Sequence, residues 1–204
     1  MKLKNINGYV IDEETGTLID TPKNLKVYNI PREVKQFVHK AVENMVFANE
    51  INFKNSSIEK IPNECFFYID LKKITLPNGI KYLGDNCFDP TKVECNYPIT
   101  LEHLGKNMYP ESQELIIGKN IKSLGDGFAN SDKYLEYVEV FGAIKKLPNE
   151  FVKNCCNLKI LILHEGIEQA GNKAFRGLNS LEYVELPNSF KQPFKMERHI
   201  YFKL

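Results

Sequence analysis

The chain has 204 residues and a mass of 23.6 kDa, with 27 Lys plus Arg against 26 Asp plus Glu. The resulting net charge of +1 gives no electrostatic footprint for nucleic acid or for an anionic membrane. Hydrophobic residues at 43% and charged residues at 26% suffice for a sizeable core, argue against wholesale disorder, and include no run near the roughly eighteen apolar residues of a membrane-spanning helix.

The start, Met1 to Tyr9, is basic, but no apolar stretch of about seven or more residues follows it. No signal peptide is visible, so a cytoplasmic location is favoured. Tyr9 to Ile19 reads as a hairpin with its turn near Thr15-Gly16. Residues 1–24 are accordingly assigned to an N-terminal capping hairpin.

From residue 25 the chain repeats itself every 23 residues. Leu135-Glu-Tyr-Val138-Glu-Val140 superposes on Leu158-Lys-Ile-Leu161-Ile-Leu163, and that on Leu181-Glu-Tyr-Val184-Glu-Leu186. Upstream, Leu71-Lys-Lys-Ile74-Thr-Leu76-Pro77 lies two periods after Leu25-Lys-Val-Tyr28-Asn-Ile30-Pro31, with Ala48, Ile51 and Phe53 between. One ladder of apolar anchors runs Ile30, Phe53, Leu76, Cys95, Ile117, Val140, Leu163, Leu186. Two residues before each stands Tyr28, Ile51, Ile74, Val93, Leu115, Val138, Leu161 or Val184. Apolar residues at i and i+2 mark a short half-buried strand.

Beyond each strand come a second and a third apolar position, such as Ile58 and Ile61, Ile80 and Leu83, or Ile144 and Leu147. A small or apolar pair then follows, such as Cys65-Phe66, Cys87-Phe88 or Ala174-Phe175. Gly84, Gly105, Gly125 and Gly171, or Pro62 and Pro148, occupy the slot between and predict a tight bend there, followed by a helical turn. The fourth repeat, near 92–110, is irregular, with a step of 19 and Pro98 inside it. No repeat can bury its apolar face alone, so the reading is a solenoid. Eight strands at about 4.8 Å would make a parallel sheet roughly 34 Å wide. The array is bounded at 25–190, and residues 191–204 are a C-terminal cap or tail whose apolar stretch, Phe194 to Phe202, would cover the last edge.

Leu71 through Phe88 resembles the BspA-type leucine-rich repeat, and so does Leu158 through Phe175 followed by Arg176-Gly177. The shared pattern is a strand, a turn containing Pro, an Ile, then a Gly followed by a small residue and Phe. The resemblance spans about 25–190 and departs from the pattern in the fourth repeat and in several Gly slots. It implies a curved right-handed coil with a parallel concave sheet of about eight strands and short helical or irregular convex segments. It also implies binding of other molecules, often by surface-exposed proteins, without catalytic residues, and it leaves a cell-surface or secreted setting open.

In such strands the residues flanking the inward pair point to the concave surface. In chain order these are Val27/Asn29, Glu50/Asn52, Lys73/Thr75, Lys92/Glu94, Glu114/Ile116, Tyr137/Glu139, Ile160/Ile162 and Tyr183/Glu185. The first half is polar. In the second, Ile116, Tyr137, Ile160, Ile162 and Tyr183 make an apolar and aromatic cluster rimmed by Glu114, Glu139 and Glu185, a composition suited to an interface.

Competing chemistry finds little support. His39, His103, His164 and His199 fall in different repeats or in the tail, and His164 reads as a turn residue after Leu163. Cys65 and Cys87 read as core thiols, Cys95 as an anchor, and the adjacent Cys155-Cys156 fits neither a zinc site nor a disulfide framework. Gly125-Asp-Gly127 lacks the continuation of a phosphate loop. Ser131 and Ser180 have no His and Asp in a catalytic frame. The expectation is a non-enzymatic module without cofactor or metal, recognising a protein partner through the concave sheet as a monomer or weak homo-oligomer. No nucleic acid and no membrane insertion are expected. The alternatives are a self-assembling structural protein and an exported adhesin-like surface that binds host protein or carbohydrate.

Overall fold

Two compact units divide the chain, Met1–Leu101 and Glu102–Leu204, and the computed structural model describes residues 1–109, 111–192 and 201–203. The first unit opens with antiparallel strands β1 (Leu3–Ile6), β2 (Tyr9–Asp12) and β3 (Thr17–Asp20). Asn7 and Gly8 join β1 to β2 at φ 51° and 89°, a turn chemistry that suits the twist of a two-residue hairpin. Between β2 and β3, the Asp12 carboxylate accepts from the Glu14 amide and the Thr15 hydroxyl, with Gly16 at φ 68° closing the turn.

Coiling begins with β4 (Val27–Asn29), β5 (Gln36–Phe37) and the short helix α1 (His39–Glu43). It continues through β6 (Glu50–Asn52), β7 (Lys60–Ile61), β8 (Lys73–Thr75), β9 (Tyr82–Leu83) and β10 (Glu94–Cys95). β4, β6, β8 and β10 form one parallel sheet, and β7 pairs in parallel with β9. The Tyr28 hydroxyl locks the first coil, its one proton shared between the carbonyls of Pro22 and Asn44, both at 2.9 Å.

The second unit follows the same plan: β11 (His103–Leu104), β12 (Glu114–Ile117), β13 (Ser123–Leu124), β14 (Tyr137–Val140), β15 (Lys146–Leu147), β16 (Ile160–Leu163), β17 (Gln169–Ala170), β18 (Tyr183–Glu185) and β19 (Tyr201–Lys203). Its main sheet runs β12-β14-β16-β18-β19, all parallel. β11 pairs with β13, and β15 with β17. Most of the tail expected to cover the last edge lies outside the described residues, and its end supplies β19.

Each unit is therefore a parallel β-solenoid, and the eight expected strands are present, four in each. The anchor pairs are inside: Tyr28/Ile30, Ile51/Phe53 and Ile74/Leu76 in the first unit, Leu115/Ile117, Val138/Val140, Leu161/Leu163 and Val184/Leu186 in the second, all buried. Each such side chain contributes about 1.5–3 kcal/mol when removed from water. Rings add to this by stacking from coil to coil. Phe37, Phe53 and Phe66 lie 5.9–6.3 Å apart between centroids, and Tyr109, Phe128 and Phe151 follow one another at 5.2 and 6.3 Å.

Three expectations need correction. The segment predicted as a bend is a second ladder. Ile61 pairs with Leu83, Leu104 with Leu124 and Leu147 with Ala170, each in a two-residue parallel strand. Gly84 and Gly171 sit just beyond it with no positive φ. A Cβ on Gly171 would lie 2.5 Å from the Asn149 amide nitrogen, and one on Gly84 2.5 Å from that of Asn63. These glycines let neighbouring backbones approach; they do not turn the chain.

The second correction concerns the helical turns after the bend, which are absent among the described residues apart from α1. That side of the coil is a third hydrogen-bonded ladder. The Glu150, Val152 and Asn154 amides donate to the Asn172, Ala174 and Arg176 carbonyls at 2.7–3.0 Å, and Gly127, Ala129 and Ser131 donate likewise to Asn149, Phe151 and Lys153. Residues four apart here, Gly127 and Ser131 and likewise Glu150 and Asn154, have φ between 55° and 68°, so the segment turns where a strand would run straight.

The third correction is in the fourth repeat. Cys95 pairs with Ile74 and Glu94 with Lys73, two residues out of step with the anchor alignment. Cys95 thus takes the first inward position, and the outward residues there are Glu94 and Asn96, displacing Lys92 and Glu94. Asn96 explains the slip. Its side chain accepts from the Leu76 amide at 2.6 Å and donates to the Leu76 carbonyl at 3.1 Å, replacing two main-chain partners. Tyr97 then follows, with its hydroxyl buried and unpaired.

Candidate protein-recognition face

The outward side of the second unit's main sheet carries the residues singled out in the sequence. Parallel register sets them in two rows. Glu114, Tyr137, Ile160 and Tyr183 are successive partners, and so are Ile116, Glu139, Ile162 and Glu185. Adjacent strands lie about 4.8 Å apart, so each residue abuts the next across the sheet.

The rows are mixed. Tyr137, Ile160 and Tyr183 form an unbroken half-buried strip, whereas Glu139 stands between Ile116 and Ile162. Glu139 is therefore within the face, with Glu114 and Glu185 at its sides. Ile116 is 56% exposed, a large value for an apolar strand residue.

Two hydrogen bonds of the same design hold the polar groups. The Tyr137 hydroxyl donates to Glu139 Oε2 and the Tyr183 hydroxyl to Glu185 Oε2, each at 2.9 Å and each spanning two residues along one strand. These bonds fix both rings across their strands. Burial, the bond to Glu139 and the nearby Glu114 and Glu185 charges all raise the Tyr137 pKa. The hydrogen bond from His164 holds the Glu139 carboxyl below its ordinary value, with Tyr137 adding to the effect against partial burial.

His164 is a residue of this face that sequence reasoning missed. Its Nε2 lies 2.7 Å from Glu139 Oε1, and its ring stacks on Phe141 at 4.3 Å with 6° between planes. Lys119 Nζ stands 5.9 Å from the Phe141 centroid. Phe141 and His164 each follow an anchor, Val140 and Leu163, by one residue, so the 23-residue period carried the signal for a third row.

The corresponding face of the first unit differs. The Asn52 amide donates to Asn29 Oδ1 at 3.3 Å, and Lys73 pairs with Glu94 at 3.0 Å with Glu50 also near enough to raise its pKa. Cation and carboxylates answer one another within that face.

Other chemistry does not assemble. His39 begins α1 on the surface, His103 Nδ1 lies 2.7 Å from the Ser123 hydroxyl, and His199 lies outside the described residues. Among the described residues no three His, Cys, Asp or Glu side chains converge as a metal site. Cys65, Cys87 and Cys155 are buried and Cys156 is exposed. Burial pushes the Cys87, Cys95 and Cys155 thiols up to about 12. No described helix is long and apolar enough to cross a membrane.

The BspA type leucine rich repeat region matches the chain over residues 20–116 and 92–195, in six copies. Among solved structures, a leucine-rich repeat protein from Bacteroides ovatus is similar at 19% identity and a TM-score of 0.52, over 93% of this chain and 58% of that one. This chain thus spans little more than half of that protein, and the likeness concerns fold alone. A leucine-rich repeat protein from Eubacterium ventriosum aligns at 13% identity and a TM-score of 0.43, over 83% of this chain and 68% of that one. A leucine rich cell surface protein from Faecalibacterium prausnitzii aligns at 13% identity and 0.40, over 93% of this chain and 90% of that one. Among proteins of curated function none is similar enough in sequence to match.

Proposed function

The chain belongs to the BspA type leucine rich repeat family, and from that premise we propose that it is a non-enzymatic module that recognises a protein partner through the outward face of its second sheet. One observation carries the reading: Tyr137, Ile160 and Tyr183 abut in register as a half-buried strip, with the exposed Ile116 beside it. Clustered exposed apolar and aromatic side chains favour an interface, and Tyr is enriched among the residues that dominate binding energy. Glu114, Glu139, Ile162 and Glu185 complete the contact surface.

A face of this kind suits an interface on the order of 1,600 Å² in total. In this reading residues 1–24 and 191–204 close the ends of the array at 25–190, a role supported by the β1–β3 hairpin and by β19. The test is capture of partner from the source lysate by the wild type and by Tyr137→Ala/Tyr183→Ala. Capture should be lost in the double variant with the far-UV dichroism unchanged. Undiminished capture by a folded double variant would discard this face.

A further inference from the structure

The two outward faces arrange their charges differently. In the first unit Lys73 lies in register between Glu50 and Glu94, so a cation sits among the acids. In the second unit the eight outward positions of β12, β14, β16 and β18 hold three Glu and no Lys or Arg, and β19 brings Lys203 into register beside Glu185, away from Glu114 and Glu139. Glu114 has no ion-pair partner among the described residues. Glu139 has only His164.

These carboxylates surround a ring. Glu114 is the cross-strand neighbour of Tyr137, and Glu139 accepts its hydroxyl. A tyrosine face flanked by two carboxylates attracts a cation both through its quadrupole and through the adjoining charge. Lys119 over Phe141 is an internal example of a cation on an aromatic ring at the border of the same surface. Ile160 and Ile162 supply apolar surface on the next strand.

We propose that the partner segment taken by this face is cationic: an extended stretch whose every second residue is Lys or Arg or an apolar residue in turn, so that both kinds point at the sheet, laid across β14 and β16 with one charged side chain on the Tyr137 ring between Glu114 and Glu139. This rests on the reading of the face given above and adds the chemistry of what it binds. The cationic side chains face the acids, and the apolar ones pack on Ile116, Ile160 and Ile162.

The test uses the full chain and fluorescence anisotropy. The probes are fluorescein-labelled Lys-Ser-Leu-Ser-Lys-Ser-Leu, which sets Lys and Leu on one face when extended, and the same peptide with Glu in place of Lys. The Lys peptide should bind at least about tenfold more tightly, and more weakly as salt rises. Glu114→Gln/Glu139→Gln should weaken it roughly three- to thirtyfold, while Glu59→Gln, on the first unit beside Lys81, should leave it unchanged. Thermal melts confirm that each variant is folded. Equal binding of both peptides would overturn the charge inference and leave the apolar face standing. Failure of the Lys peptide to bind, or its indifference to the double Gln substitution, would also overturn it. Loss of partner capture in Tyr137→Ala/Tyr183→Ala decides the face itself independently.

Discussion

Replacing Gly171 by Ala puts the spacing between coils to a quantitative test. The new Cβ would stand 2.5 Å from the Asn149 nitrogen, 2.6 Å from the Pro148 carbonyl carbon and 2.7 Å from the Asn149 Cα. All three are main-chain atoms, so no side chain can swing aside. Reaching ordinary contact at 3.4 Å requires the coils to part by about 0.9 Å at this point. The Gly171 amide bond to the Leu147 carbonyl, now 2.9 Å, would stretch beyond hydrogen-bonding distance, and the neighbouring Gln169 to Lys145 bond at 3.2 Å would weaken with it. Two main-chain bonds at about 0.5–1.5 kcal/mol each, plus about 1–3 kcal/mol of overpacking, give roughly 2–6 kcal/mol of destabilisation. For a chain of this size that lowers the melting temperature by about 4–24 °C. Gly79→Ala is the matched control, because nothing lies within 4 Å of a Cβ there. Urea denaturation followed by far-UV dichroism measures both. A Gly171→Ala protein within about 0.5 kcal/mol of the control would refute the close-approach argument.

Two further outcomes follow from the same contacts. Buried Asp132 accepts from the Tyr134 and Leu135 amides and from the Tyr109 hydroxyl, so Asp132→Ala strands three donors. It should cost about 3 kcal/mol or more in urea denaturation, with Asp132→Asn costing less; parity of Ala with wild type would discard this account. The thiols give a pH dependence. Because burial holds Cys87 and Cys155 up to about 12 against 9.0 when unfolded, both states are protonated below pH 9 and the native state carries no penalty there. As pH rises from 9 towards 12 the unfolded thiols ionise first, and stability falls by about 1.4 kcal/mol per unit for each thiol. Denaturation midpoints in that range should fall less steeply in Cys87→Ala/Cys155→Ala, and a thiol reagent near neutral pH should label exposed Cys156 first.

What the sequence made legible followed from how many residues each element spends on the core. The main strands bury two residues at i and i+2, as with Val138 and Val140, and that alternation repeats at 23 residues. The second ladder buries one residue per coil, Ile61 or Leu147, in strands of two residues. One apolar residue beside Gly or Pro has no period of its own, so it read as a bend. The slip at Cys95 was hidden for another reason: Val93 and Cys95 mimic an anchor pair, while the determining contact, Asn96 to Leu76, is a polar side chain standing in for backbone. On the candidate face, both outward rows were readable from alternation alone. The place of His164 was not, because its bond to Glu139 joins positions 25 residues apart, neither of which belongs to a recognised motif.

The ladder on the third side of the coil points one way, with the amides of 127, 129 and 131 and of 150, 152 and 154 all reaching forward to the coil that comes next in the chain. During synthesis on the ribosome, each coil therefore emerges with donors whose acceptors have not yet been made. A chain cut short after Asn157 would strand the amides of Glu150, Val152 and Asn154, each costing about 1–3 kcal/mol if kept from water. A second unit deprived of its leading coil would lose donors to carbonyls, which tolerate the loss better. The two termini of the array are thus unequal as places to trim, graft or extend it, and the trailing end is the one that demands a successor.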